Sequence, residues 1–182
     1  MGHALQQLVS LDHDAVRATT ELRWSPATAV LAFVSAWWVK GPLLVATGWC
    51  ADLSNRRLFP LVALAATLSF ALASWLNALI KAVVGRSRPP QEMGLDAIVG
   101  VPGSPSFPSG HAMSAFAVAA AIALLAPRLR WPVLALAALI GFSRVYLGVH
   151  FWLDVLAGAA LGMAIGALIA VAARRALAPR PS

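Results

Sequence analysis

Little charge of either sign is present in this chain. Asp, Glu, Lys and Arg together make up 12% of its 182 residues, and seven of them are acidic. An ordinary soluble domain carries about twice that fraction of charge, so that class is excluded. Cysteine is nearly absent, and Cys50 has no partner within the chain, which excludes an internal disulfide framework. The sequence also lacks a cluster of carboxylates of the kind that holds a divalent cation for phosphoryl transfer. An unbroken apolar leader is missing too, because Asp12, Asp14, Arg17, Glu21 and Arg23 interrupt the N-terminal segment. The net charge of +7 is the one feature that suggests nucleic acid. The basic residues stand in short clusters between apolar runs, however, with no RNA- or DNA-binding motif, so nucleic acid is not an expected partner.

What the chain has in quantity is hydrocarbon. It is 60% hydrophobic, with a mean hydropathy of +0.77, and reads as one all-α integral membrane bundle over residues 1–182. Crossing a bilayer core roughly 30 Å thick takes about 20 residues of helix. Five segments meet or approach that length: Ala27 to Cys50, Leu58 to Ile80, Pro108 to Ala126, Trp131 to Val149, and Phe151 to Ala173. Lys40-Gly41-Pro42 interrupts the first and predicts a kink or a re-entrant break. Residues 1–26 form a surface segment in which Leu5, Leu8, Val9, Val16 and Leu22 follow a loosely helical spacing. That spacing fits either an amphipathic helix on the membrane or a solvated tail with some helix. Gly158, Gly162 and Gly166 recur every four residues in the last span and predict close helix packing along one face.

Orientation follows from the cations. With five spans, Arg56, Arg57, Arg128, Arg130, Arg174, Arg175 and Arg180 fall on one side, and Arg17, Arg23, Lys81, Arg86, Arg88 and Arg144 on the other. The positive-inside tendency places the first group, and with it the C-terminus, in the cytoplasm.

Ionisable residues in such a chain are functional suspects, because each costs several kcal/mol near hydrocarbon unless paired or wetted. His150 and Asp154, at i and i+4, share a helix face, so the carboxylate can hold one imidazole nitrogen protonated and leave the other nucleophilic. Ser109 stands where a helix would begin, and the backbone around Gly110 and His111 offers unpaired N–H groups and the positive end of a helix dipole to an anion. His111 is placed to give a proton to a leaving oxygen. Lys81, Arg88 and Arg144 would repel one another unless an anion lay among them, and a phosphate suits guanidinium forks. Arg86, by contrast, reads as an interfacial anchor. The segment from about Gly85 to Phe107, rich in Pro and Gly, is a spacer or a lid.

Lys81 with Arg88-Pro89, Pro108-Ser109-Gly110-His111, and Ser143-Arg144 with His150 and Asp154 together resemble the three motifs of the type-2 phosphatidic acid phosphatase superfamily. The resemblance covers roughly residues 58–173. It implies that Lys81, Arg88 and Arg144 hold a phosphate, with Ser109 and the Gly110 backbone completing the cradle. His150 would attack phosphorus to give a phosphohistidine, Asp154 would orient it, and His111 would protonate the leaving group, without metal or other cofactor. It further implies a membrane lipid phosphate or diphosphate as substrate, and the count of cations above turns all three motifs to the outside of what reads as a bacterial inner membrane. Phosphatidic acid, phosphatidylglycerol phosphate and polyprenyl diphosphates such as undecaprenyl diphosphate are the candidates. Transfer of the phosphoryl group to a hydroxyl acceptor is the alternative. Many membrane members of the family have six spans, whereas the residues before Ala27 are too polar to supply the first.

Overall fold

Backbone polar groups in hydrocarbon must be satisfied within their own segment, and long apolar runs therefore resolve into helices. The computed structural model describes residues 2–36, 46 and 60–177, and these contain helices and connections but no strand. The helices are α1 (Gly2–Glu21), α2 (Ser25–Ser35), α3 (Leu61–Val84), α4 (Pro89–Met93), α5 (Gly110–Leu125), α6 (Arg130–Tyr146) and α7 (Trp152–Leu177). Among the described residues three stretches are long and apolar enough to cross a membrane: Leu61–Met93, Pro127–Tyr146 and Trp152–Ala176. They correspond to the second, fourth and fifth predicted segments. The third became α5, whose 16 residues at 1.5 Å each reach about 24 Å, short of a full crossing. The first begins as α2; the predicted break at Lys40-Gly41-Pro42 lies outside the described residues.

α5 is apolar on all sides, which suits a helix enclosed by others. Ala112, Met113, Ala115, Ala117, Val118 and Ile122 are buried along it, and α3, α6 and α7 pack around it. The glycines of α7 explain how closely. A Cβ on Gly158 would stand 2.6 Å from the Ser109 carbonyl oxygen, and one on Gly162 or Gly166 would strike the Met113 or Ala117 carbonyl. Each step of four along α7 meets a step of four along α5 in the same direction, so the two helices run parallel, with Gly158 of α7 level with the start of α5. At their far ends Arg174 donates to the Leu124 carbonyl. Introducing leucine at Gly162 would wedge these backbones apart. Overpacking of this kind costs about 1–3 kcal/mol even where neighbours are side chains. The Gly162→Leu protein is expected to unfold at a clearly lower temperature in detergent, or not to accumulate at all, while Leu168→Ala on an exposed face of α7 leaves the unfolding temperature near that of the parent.

The polar N-terminus folds back onto this bundle. α1 buries Asp12, Val16 and Thr19 against α6 and α7, and Thr19 Oγ1 accepts the Trp152 indole N–H at 3.0 Å. α2 docks through Tyr146, whose hydroxyl accepts the Trp24 backbone N–H at 2.7 Å. After α6 the chain reverses at Gly148, whose φ of +78° lies in the left-handed region that favours glycine. That reversal delivers His150 directly beneath the end of α6.

Candidate active site

Every motif arrives at one end of the bundle, on helix termini. Lys81 is in the last turn of α3, which closes on a left-handed Gly85. Arg88 precedes α4, Ser109 precedes α5, Arg144 is in the last turn of α6, and Asp154 is in the first turn of α7. A cavity of about 270 Å³ is lined by Lys81, Arg88, Gly110, His111, Arg144 and His150, together with Ser74, Asn77, Pro102 and Ser104. Six of the eight residues singled out from the sequence thus face one space. The other two stand just behind it: Ser109 N–H donates to the Asp154 carbonyl at 2.9 Å, and Asp154 is fully buried.

His150 Nδ1 lies 3.3 Å from Asp154 Oδ2, and its Nε2 lies 3.1 Å from Arg88 Nη1. A guanidinium can only donate, so the network assigns the lone pair to Nε2 and the proton to Nδ1. Burial pushes the His150 pKa down from the ordinary histidine value to about 4; the hydrogen bond to Asp154 opposes this shift, and the Arg88 and Arg144 charges add to it. His150 is therefore neutral at neutral pH, with an unprotonated nitrogen on the cavity wall. Asp154 is fixed from all sides. Its Oδ2 also accepts the Phe151 N–H at 3.0 Å and the Ser106 hydroxyl, and its Oδ1 accepts Arg86 Nη1 at 2.9 Å.

The cations of the cavity are held by dipoles rather than by acids. Lys81 Nζ donates to the Pro105 carbonyl. Arg88 donates to the carbonyls of Val149 at 2.8 Å and Ser104 at 2.9 Å. Arg144 Nη1 donates to Ser35 Oγ at 3.0 Å. Among the described residues none of the three forms an ion pair, and Arg144 Nε and Ser109 Oγ are buried without a hydrogen-bond partner. Three positive charges in one recess, with donors to spare, favour an anion with several oxygens. Gly110 is required by space: a Cβ there would fall 2.7 Å from Asn77 Oδ1, and Asn77 in turn donates to the Pro108 carbonyl at 3.0 Å. His111 Nε2 lies 3.0 Å from the Ser35 carbonyl, so the end of α2 fixes both His111 and Arg144.

Several of these contacts differ from the reading of the sequence. Ser109 occupies the N-cap position, but its side chain makes no capping bond. Arg86 is not merely an anchor: it bridges Asp154 and Asp12, and its guanidinium stacks 3.9 Å from the centre of the Phe151 ring. Ser35, Asn77 and Ser106 were not singled out at all. The segment 85–107 serves as a wall of the site, its carbonyls at Ser104 and Pro105 receiving Arg88 and Lys81. A usable signal existed for Arg86, since each of the few acids in so uncharged a chain needs a cationic partner once buried.

The sequence pattern of the PAP2 superfamily matches residues 62–177. The lipid A 1-phosphatase of Rhizobium johnstonii is 39% identical over 98 residues, which are 51% of this chain and 40% of that protein. The decaprenylphosphoryl-5-phosphoribose phosphatase of Mycolicibacterium smegmatis is 39% identical over 128 residues, 68% of this chain and 63% of that protein. The chain therefore spans less than two thirds of the length of these relatives. The crystal structure of the first transmembrane PAP2 type phosphatidylglycerolphosphate phosphatase from Bacillus subtilis superimposes with a TM-score of 0.77 at 28% identity, covering 96% of this chain and 90% of that one.

Proposed function

As the chain belongs to the PAP2 superfamily, we propose that it is an integral membrane lipid phosphatase working through a phosphohistidine at His150. The observation that carries this reading is the cavity itself. Among the described residues Lys81, Arg88 and Arg144 surround it without a carboxylate partner, and the unprotonated Nε2 of His150 opens onto the same space. A lipid phosphate entering it exchanges carbonyl contacts for its own oxygens, with Arg88 and Arg144 offering planar forks and Lys81 a point charge. Ser109 and the Gly110 backbone complete the cradle.

His150 Nε2 then attacks phosphorus, the N–P bond forming as the bond to the lipid oxygen breaks. His111 gives a proton to that departing oxygen. Asp154, accepting Nδ1–H, stabilises the positive charge that the imidazole gains. In the second half a water attacks phosphorus, His111 takes its proton, the N–P bond breaks, and inorganic phosphate leaves with His150 restored. Transition-state charge on the phosphoryl oxygens is met by the three side-chain cations, the task that metal ions perform in other phosphoryl-transfer sites.

The substrate is a phosphate or diphosphate on a membrane lipid, with polyprenyl diphosphate, phosphatidic acid and phosphatidylglycerol phosphate as the classes to try. The cavity opens at the end of the bundle opposite Arg128, Arg130, Arg174 and Arg175, which supports an external site and a cytoplasmic C-terminus. A panel of these lipids presented in detergent micelles tests the reading. Inorganic phosphate is expected from at least one of them, at a rate unchanged by a metal chelator. Transfer of label to a hydroxyl acceptor without phosphate release would assign a phosphotransferase instead, and loss of activity with chelator would sink the metal-free route.

A further inference from the structure

Asp12, on the N-terminal helix, is remote in sequence from every motif and yet ends three hydrogen bonds from His150, through Arg86 and Asp154. Its side chain is 1% exposed. Oδ2 accepts Arg86 Nη2 at 3.0 Å, and Oδ1 accepts the Leu153 backbone N–H at 3.1 Å. Arg86 passes its other fork nitrogen to Asp154 Oδ1. The Phe151 ring contacts both the Arg86 guanidinium and the His13 ring, whose centroid is 5.3 Å away and whose plane is inclined by 24°. The segment from His150 to Asp154 is therefore gripped by α1 through its backbone, through Phe151 and through Arg86.

We propose that Asp12 is a positioning residue for the phosphatase reaction: by holding one arm of Arg86, it restricts that guanidinium to a single oxygen of Asp154. The reason is geometric. A guanidinium beside a lone carboxylate closes on both oxygens as a bidentate pair. Asp12 supplies a second anion, so Arg86 spans the two acids and takes only Oδ1 of Asp154. Oδ2 is left for His150 Nδ1, Ser106 and the Phe151 N–H. Without the Asp12 charge, Arg86 gains nothing by spanning and turns its fork onto Oδ2, in competition with the Nδ1–H that keeps His150 in the right tautomer. Asp12, Arg86 and Asp154 do not line the cavity, so the effect falls on turnover rather than on binding.

The inference rests on His150 being the nucleophile. Asp12→Asn keeps the acceptor for Leu153 N–H and removes the charge. It is expected to lower kcat about tenfold with KM within twofold of the parent, as a small misplacement of a reacting group does. Asp12→Glu, which restores the charge, is expected to recover most of that loss. Arg86→Gln lowers kcat as well, and the double variant Asp12→Asn/Arg86→Gln is expected to be no slower than Arg86→Gln alone, because Asp12 acts only through the arginine. Thr19→Val, which removes the acceptor of the Trp152 indole from the same helix contact, serves as the packing control and retains the parental kcat. The proposal is overturned by a parental kcat in Asp12→Asn, by losses that multiply in the double variant, by no recovery in Asp12→Glu, or by an equal loss in Thr19→Val. Failure of the underlying reading shows separately, as phosphate release surviving in His150→Ala.

Discussion

His150→Ala is expected to abolish phosphate release, with a fall in kcat on the order of 10⁴-fold or more, as removal of a covalent nucleophile does elsewhere. Binding of the headgroup should survive, because Lys81 and Arg144 are held by a carbonyl and by Ser35, and Arg88, which loses its contact with the imidazole, keeps those with the Val149 and Ser104 carbonyls. The measurement is paired: turnover of the best lipid of the panel, and retention of inorganic phosphate or of the uncleaved lipid by the variant. A second check uses acid-labile label on the protein. Rapid quenching of the parent should trap phosphate bound to nitrogen, and the variant should trap none; phosphatase activity persisting in His150→Ala would falsify the nucleophile assignment. The pH profile carries a sign as well. Attack needs the neutral imidazole, which is present above the His150 pKa and lost as pH falls through it. Burial has moved that value down to about 4, so the acid limb due to His150 should lie below the range of an ordinary histidine.

Arg88→Ala is expected to damage catalysis and stability together. The side chain is 2% exposed, and it donates to Val149, Ser104, Pro105 and His150. Truncation removes the donor from two buried acceptors, the Val149 carbonyl and His150 Nε2, each costing about 1–3 kcal/mol, besides leaving an empty volume where the guanidinium stood. A fall in kcat/KM of roughly 10³-fold is expected from losing one charged contact to the transferring phosphoryl group, accompanied by a lower unfolding temperature. Arg88→Lys separates the two effects. It preserves the charge but not the fork, so it should regain little activity if bidentate contact with phosphate matters. Activity in the lysine variant near that of the parent would refute the fork and leave only a point charge.

How far the chain could be understood before its structure was in view depended on the range of each interaction. His150 and Asp154 were legible because a spacing of four on one helix fixes their relation locally. So were Ser109 and Gly110, at the seam between a proline-containing loop and an apolar run, and the glycines of α7. The long apolar runs announced helices, and the break between α5 and α6 fell within a residue of its expected place, though α3 runs on to Val84 past Ile80 and α6 stops at Tyr146 short of Val149. What escaped reading were contacts made by docking. Ser35 reaches Arg144 across 109 positions, and Arg86 reaches Asp12 across 74. No periodicity encodes such pairs. Only Asp12, Val16 and Thr19 of α1 are buried, a stripe too narrow and too polar to distinguish a docked helix from a solvated one.

The parallel seam between α5 and α7 has a consequence for a protein living in bilayers of varying thickness. Spanning helices answer a thicker or thinner membrane by tilting or by deforming the lipid around them. If α5 and α7 responded independently, the distance between the Ser109 to His111 corner and the His150 to Asp154 corner would change with lipid composition. Three glycines meeting three carbonyls leave no room for one helix to slide or roll against the other. The pair must tilt as one body, and His150 and His111, the proposed nucleophile and proton donor, ride with it together, so hydrophobic mismatch is taken up outside the distance between them.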